Sequence, residues 1–163
     1  MSEQPRIEHK EEQPYVGIRT SVSMQELAGA AERHFAELFD WLQAQGITAS
    51  GAPFTRYLRI DMDHELEIEL AVPVPSAVPS DDHRHAGVLP PGRYVTLRHV
   101  GPYDGLVSAN ARIQAWAREN GIRWQMTDES LWGARVERYL TDPSREPDPS
   151  RWETELAYLA IDE

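Results

Sequence analysis

Two short segments place a carboxylate beside a small residue within an alternating apolar stretch: Glu69-Leu70-Ala71-Val72 and Glu155-Leu156-Ala157-Tyr158. Residues two apart on an extended chain share a face, so each glutamate has an alanine as its same-side neighbour, leaving space above the backbone. Tyr15, Tyr57, Tyr94 and Tyr139 recur within strand-like stretches elsewhere. A carboxylate floor between aromatic walls attracts a lipophilic cation, through ion pairing and through the negative faces of the rings. A solvated sheet surface also carries charge and tyrosine, so residue types alone leave both readings open. Asp81-Asp82-His83-Arg84-His85 contains metal-binding residue types in a proline-flanked loop. With no distant ligand set matching it in the sequence, it reads as a solvated linker, and neither a metal site nor a cofactor is expected. No serine-centred glycine motif, phosphate-binding loop or dinucleotide fingerprint occurs.

The elements that must position these residues form a strand–turn–helix unit that occurs twice. In the later copy, Pro90-Pro91-Gly92 makes a turn, Arg93–Val100 alternates as a strand, and Gly101-Pro102 breaks it. Leu106, Ala109, Ile113 and Trp116 then recur at helical spacing within a predicted helix Tyr103–Asn120, which Gly121 ends. The earlier copy runs from Val16 to Gly46. Ser23 and Glu26 have capping-box spacing, and Leu27, Ala31, Phe35, Leu38 and Leu42 form the apolar stripe. Val16–Arg19 matches Val95–Arg98, Trp41…Gly46 matches Trp116…Gly121, and Glu69–Val72 matches Glu155–Tyr158. Three matches in one order point to an internal duplication.

Strands are further predicted at Pro14–Thr20, Phe54–Asp61, Glu65–Val72, Leu131–Leu140 and Trp152–Ile161, with a Pro- and Asp-rich excursion at Thr141–Arg151. Each half is then β-α-β-β. The expected fold is α+β, a tandem repeat with pseudo-twofold symmetry. Its curved antiparallel sheet would carry two helices on one face and a ligand groove on the other. Residues 1–13 read as a flexible tail, and 14–163 as one domain with halves at about 14–80 and 86–163. Parity puts Val16, Ile18, Leu58, Ile60, Leu66, Ile68, Val95, Leu97, Val136 and Leu156 under the helices. The opposite face then receives Tyr15, Tyr57, Glu69, Tyr94, Arg98, Arg135, Glu137, Tyr139 and Glu155.

The 163 residues carry a net charge of −11 and no cysteine. That charge argues against holding a phosphate backbone, so no direct DNA binding is expected. The lack of cysteine excludes disulfides and thiolate chemistry. No apolar run is long enough to span a bilayer and no leader pattern is present, so a cytoplasmic protein without membrane contact is expected.

Leu89-Pro-Pro-Gly-Arg-Tyr94, Arg98-His-Val-Gly-Pro-Tyr103-Asp-Gly-Leu106, the helix ending at Trp116…Gly121 and the closing Trp152-Glu-Thr-Glu155-Leu resemble the GyrI-like family. That family includes bacterial gyrase-inhibitory proteins and the effector-binding domains of AraC-type and MerR-type regulators. The resemblance covers about Tyr15 to Ile161 and implies the same tandem fold around a central groove. It implies a small-molecule-binding protein for cationic or aromatic compounds, without a DNA-binding domain of its own. A glutamate of the last strand commonly contributes in the family, by position Glu155 here. Tyr94, Tyr139, Tyr57, Glu69, Arg98 and Tyr103 are the expected companions. Some free-standing members are hydrolases of strained electrophilic compounds, in which case Glu155 is the candidate general base. Other members suggest a protein partner, DNA gyrase or a regulator.

Overall fold

The computed structural model describes residues 4–61, 63–127 and 130–161. Strand β1 (Arg6–Lys10) precedes β2 (Gln13–Val22), helix α1 (Leu27–Gln45), β3 (Phe54–Ile60) and β4 (Leu66–Pro73). The second half repeats that order as β5 (His85–Leu89), β6 (Gly92–Val100), α2 (Leu106–Glu119), a hairpin of β7 (Met126–Thr127) and β8 (Leu131–Trp132), then β9 (Arg135–Tyr139) and β10 (Glu153–Leu159). Eight strands form one antiparallel sheet in the order β1-β6-β10-β9-β3-β4-β2-β5. This is the expected α+β fold, two helices on a curled antiparallel sheet.

The order reads the same from both ends once the halves are exchanged. In each half the strand before the helix lies outside, the last strand beside it, and the strand following the helix lies at the centre. The two leading strands cross over: β1 pairs with β6 of the other half, and β5 pairs with β2. Residues 6–10, expected as part of a free tail, are therefore the counterpart of residues 85–89. Both strands are short and lie on the edges, where one flank has no backbone partner and apolar alternation is weak.

Local sequence sets the helix ends. The Ser23 Oγ accepts from the Glu26 amide at 3.2 Å, and the Glu26 carboxylate accepts from the Ser23 amide at 2.9 Å, the reciprocal capping box. Gly46 ends α1 with φ +70°, a left-handed conformation that disfavours a side chain.

Each helix covers the outer strands of its own half. Leu38 and Leu42 of α1 pack on Val16, Ile18, Val72 and Val74, whereas Leu106, Ala109 and Ile113 of α2 pack on Val95, Leu97, Leu156 and Tyr158. The central strands β3 and β9 are left open between the two helices. The opposite face carries its own core, in which Tyr15, Phe54, Ala71, Tyr94, Val136 and Ala157 are all buried. The space expected above Ala71 and Ala157 is thus filled by protein.

Two irregularities break the expected parity of the central strands. In β3 the pairing with β4 shifts between Tyr57 and Arg59, so Tyr57 and Ile60 both reach the helix side, while Leu58 does not pack there. The expected strand Leu131–Leu140 is broken after Trp132, where Gly133 donates to the Gln125 carbonyl at 2.8 Å. A Cβ at Gly133 would stand 2.8 Å from the Gln125 side chain, a contact that only glycine avoids. Beyond this break Val136 joins the opposite core, and Arg135, Glu137 and Tyr139 face the helices.

Candidate functional site

The gap between the helices is a groove of about 1310 Å³. One wall comes from Leu27, Ala31, Phe35 and Phe39 of α1, the other from Leu106, Asn110 and Gln114 of α2. The floor is Tyr57 of β3 with Arg135, Glu137 and Tyr139 of β9, and one end is closed by Tyr103 and Trp152. Among the described residues six large apolar side chains are exposed, and four of them, Met24, Phe39, Val107 and Leu140, line this groove. Apolar side chains gathered at one rim rather than scattered mark a binding surface.

Aromatic rings run along the floor. Tyr139 meets Phe35 edge-on at 5.9 Å and Tyr103 at 5.6 Å, and Tyr103 lies over Trp152 at 4.8 Å. Arg135 is held by rings, its guanidinium 4.7 Å from the centres of both Trp132 and Tyr158.

Glu137 is the buried carboxylate of the groove, only 8% exposed. Its Oε1 accepts from the Tyr57 hydroxyl at 2.9 Å and from the Tyr139 hydroxyl at 3.3 Å; its Oε2 accepts from Asn110 Nδ2 at 3.1 Å. Asn110 is itself oriented, donating to the Leu106 carbonyl and accepting from the Tyr158 hydroxyl. Thr55 bonds the Tyr139 oxygen at 2.7 Å. Burial, then the negative charge of Glu137, pushes the Tyr57 and Tyr139 phenols well above their ordinary range, so both remain donors. Three donors fix the carboxylate, yet among the described residues no cation stands within ion-pairing distance of it. A buried charge that is hydrogen-bonded but unpaired attracts a cation strongly, because the surroundings screen it poorly.

The expected site residues divide between the two faces. Tyr57, Tyr139 and Tyr103 line the groove. Glu155 lines neither cavity: Arg138 Nη1 donates to it at 2.8 Å, and Lys10 Nζ lies 3.4 Å away. Tyr94 is buried in the opposite core and donates to the Pro90 carbonyl at 2.7 Å, whereas Arg98 pairs with Glu153 at 3.3 Å. Glu69 borders a smaller concavity of about 440 Å³ on the opposite face, where the groove was expected. Its Oε1 accepts from Tyr15 at 2.6 Å, and Arg56 Nη1 donates to the same hydroxyl at 2.8 Å. Glu137 carried no adjacent alanine to single it out. The signal that could have found it was Arg135-Val-Glu-Arg-Tyr139, in which Glu137 and Tyr139 share a face two residues apart.

Residues 3–158 match the family model of the GyrI-like small molecule binding domain. This chain belongs to that family. As a GyrI-like domain it shares its fold with the C-terminal domain of EcmrR in a crystal structure, at 20% identity and TM-score 0.76, covering 98% of each chain. A cryo-EM structure of an EcmrR–DNA complex gives TM-score 0.82 at 20% identity, covering 98% of this chain. This chain spans 58% of the length of that one. SAV2435 bound to tetraphenylphosphonium matches with TM-score 0.70 at 12% identity, covering 98% of this chain and 94% of SAV2435. No curated protein sequence matches the chain. Among the described residues no helix is long and apolar enough to cross a membrane.

Proposed function

We propose that the groove between α1 and α2 binds a small, flat or globular lipophilic cation, with Glu137 as its counter-charge. The observation that carries this reading is the unpaired Glu137 carboxylate, held by Tyr57, Tyr139 and Asn110 beneath an apolar rim. Glu69 and Glu155, the carboxylates singled out by the sequence repeat, both have cationic neighbours already. Phe35, Tyr103, Tyr139 and Trp152 supply ring faces and edges for the apolar part of the ligand. The tetraphenylphosphonium complex of SAV2435 supports this choice of ligand class. On this reading the chain is an effector-binding module that senses or sequesters its ligand and performs no chemistry on it.

Calorimetric titration with tetraphenylphosphonium tests it. Removing the partner of a desolvated charge costs about 3–5 kcal/mol, so Glu137→Gln weakens binding by a few hundredfold or more. Equal affinity of parent and variant would exclude Glu137 as the counter-charge.

A further inference from the structure

The proline-flanked loop that reads as a solvated linker lies against α1. Asp81 closes it into a turn: its Oδ1 accepts from the His83 and Arg84 amides at 2.8 and 2.7 Å, and its own amide donates to the Arg84 carbonyl at 2.9 Å. Asp81 Oδ2 also accepts from the Arg84 side chain at 3.0 Å, and the Arg84 guanidinium lies 5.0 Å over the Trp41 ring. The turn is thereby docked on the helix flank that presents His34, Glu37 and Trp41, at spacings of three and seven residues. His83 Nε2 meets the Glu37 carboxylate in a short hydrogen bond, and His34 Nδ1 lies 3.9 Å from the other Glu37 oxygen. One ligand atom from each of His34, Glu37 and His83 falls within 4.8 Å of the other two. His34 Nδ1 is buried and has no hydrogen-bond partner.

We propose that His34, Glu37 and His83 bind a zinc ion, which clamps the linker between the two halves onto α1. Two imidazoles and one carboxylate are a donor set that suits zinc and disfavours magnesium and calcium, which take oxygen ligands. Donors on one tetrahedral zinc sit about 3.3–3.5 Å apart, given bonds near 2.0–2.1 Å, so side-chain rotation closes the present spacing. The Asp81 turn and the Arg84–Trp41 stack hold His83 in place before the ion arrives, which lowers the ordering cost of binding. Three protein ligands leave a fourth position for water. The orphaned His34 nitrogen gains a partner that no neighbouring side chain supplies. The clamp lies outside the groove, on the flank of α1 away from Phe35 and Phe39.

The test is calorimetry of the tag-free full chain, dialysed against chelator and titrated with zinc chloride or magnesium chloride. The parent takes up about one zinc per chain with a dissociation constant in the micromolar range or tighter, and no magnesium. His83→Ala, on an exposed loop, weakens zinc by about tenfold or more, whereas His64→Ala, an exposed histidine outside the cluster, leaves it unchanged. Zinc raises the melting temperature of the parent more than that of His83→Ala at the same zinc concentration. No zinc uptake, or equal zinc affinity in parent and His83→Ala, would overturn the assignment.

Discussion

Thr55 and Glu137 stand directly opposite one another in the ladder between β3 and β9, and they are the same position of the two halves. The equivalence follows from the neighbouring ladders. Glu69 is flanked by Arg19 and Arg56, and Glu155 by Arg98 and Arg138. Stepping one residue from Arg56 and Arg138 reaches Thr55 and Glu137, so the pseudo-twofold axis crosses the sheet between them. At the axis, duplication would give two identical side chains in contact. Two carboxylates there would repel each other in a buried site, and the pair is instead one glutamate and one threonine that bonds the Tyr139 hydroxyl.

Restoring the symmetry should therefore be costly. Thr55→Glu sets two carboxylates face to face, so the variant is less stable than the parent at neutral pH by about 1–4 kcal/mol, and the deficit shrinks as one carboxyl takes up a proton on acidification. Exchanging the two, Thr55→Glu with Glu137→Thr, leaves a single carboxylate and recovers stability, less the Asn110 hydrogen bond. Urea unfolding at two pH values checks both variants. A stable Thr55→Glu with no pH dependence would mean that the axis is open to water.

The duplication was legible because each pair of matched segments lies on equivalent elements, and alternation gave the correct face for β2, β4, β6 and β10. Glu69 and Glu155, on β4 and β10, do occupy equivalent positions. The position of the groove was not legible. It depends on which strands the helices leave bare, a tertiary property, and those are the two strands whose alternation is broken by the shift after Tyr57 and the break at Gly133. The edge strand β1 escaped notice because Arg-Ile-Glu-His-Lys has no apolar face of its own. His83 could not be linked to His34 and Glu37 because the docking of its loop rests on tertiary contacts, Arg84 over Trp41 and Val78 against the α1 core, that have no periodic signature in the sequence.

Glu155 should be a stability residue. Its carboxylate bridges Arg138 of β9 and Lys10 of β1, drawing the two flanking strands to β10 and β6. Glu155→Gln removes a partly buried charged hydrogen bond, at about 1–3 kcal/mol, while tetraphenylphosphonium affinity stays within about twofold of the parent. Urea unfolding and calorimetry on one preparation separate the two effects. A large affinity loss with unchanged stability would move the counter-charge from Glu137 to Glu155.

Removing residues 1–11 should do more than trim a tail. It deletes the ladder from Arg6–Thr96 to Lys10–Gly92, the hydrogen bond from Thr96 to Glu8, and the Lys10–Glu155 pair. A handful of ladder bonds at about 1 kcal/mol each gives a loss of about 2–4 kcal/mol. The bared edge of β6 then offers unpaired backbone groups to another chain, so the truncated protein associates as its concentration rises. Denaturant midpoints and light scattering provide the measurement; a truncation as stable and monodisperse as the parent would show that β1 contributes nothing.

The tyrosines make the fold sensitive to alkali. The chain has six, and all six phenols are shifted upward, in each case chiefly by burial. Tyr94 is pushed up to about 12, and Tyr57 and Tyr139 are raised further by the charge of Glu137. A phenol whose folded value lies above its unfolded value of about 10 binds its proton more tightly in the native state. That contribution to stability is complete below about pH 10, and it is lost as pH rises through the folded values. Unfolding free energy should therefore fall steeply from about pH 10 upward, in proportion to the number of shifted phenols. Phenolate absorbance, followed with far-ultraviolet circular dichroism, should show almost no ionisation in the native protein near pH 10. Ionisation then arrives together with loss of structure. Replacing Tyr57 and Tyr139 by phenylalanine removes two of the linked groups, so the fall in stability with pH becomes shallower even though the neutral-pH stability drops through the lost bonds to Glu137. Phenols that ionise near pH 10 in a chain that stays folded would contradict the burial of these rings, and with it the closed floor of the groove.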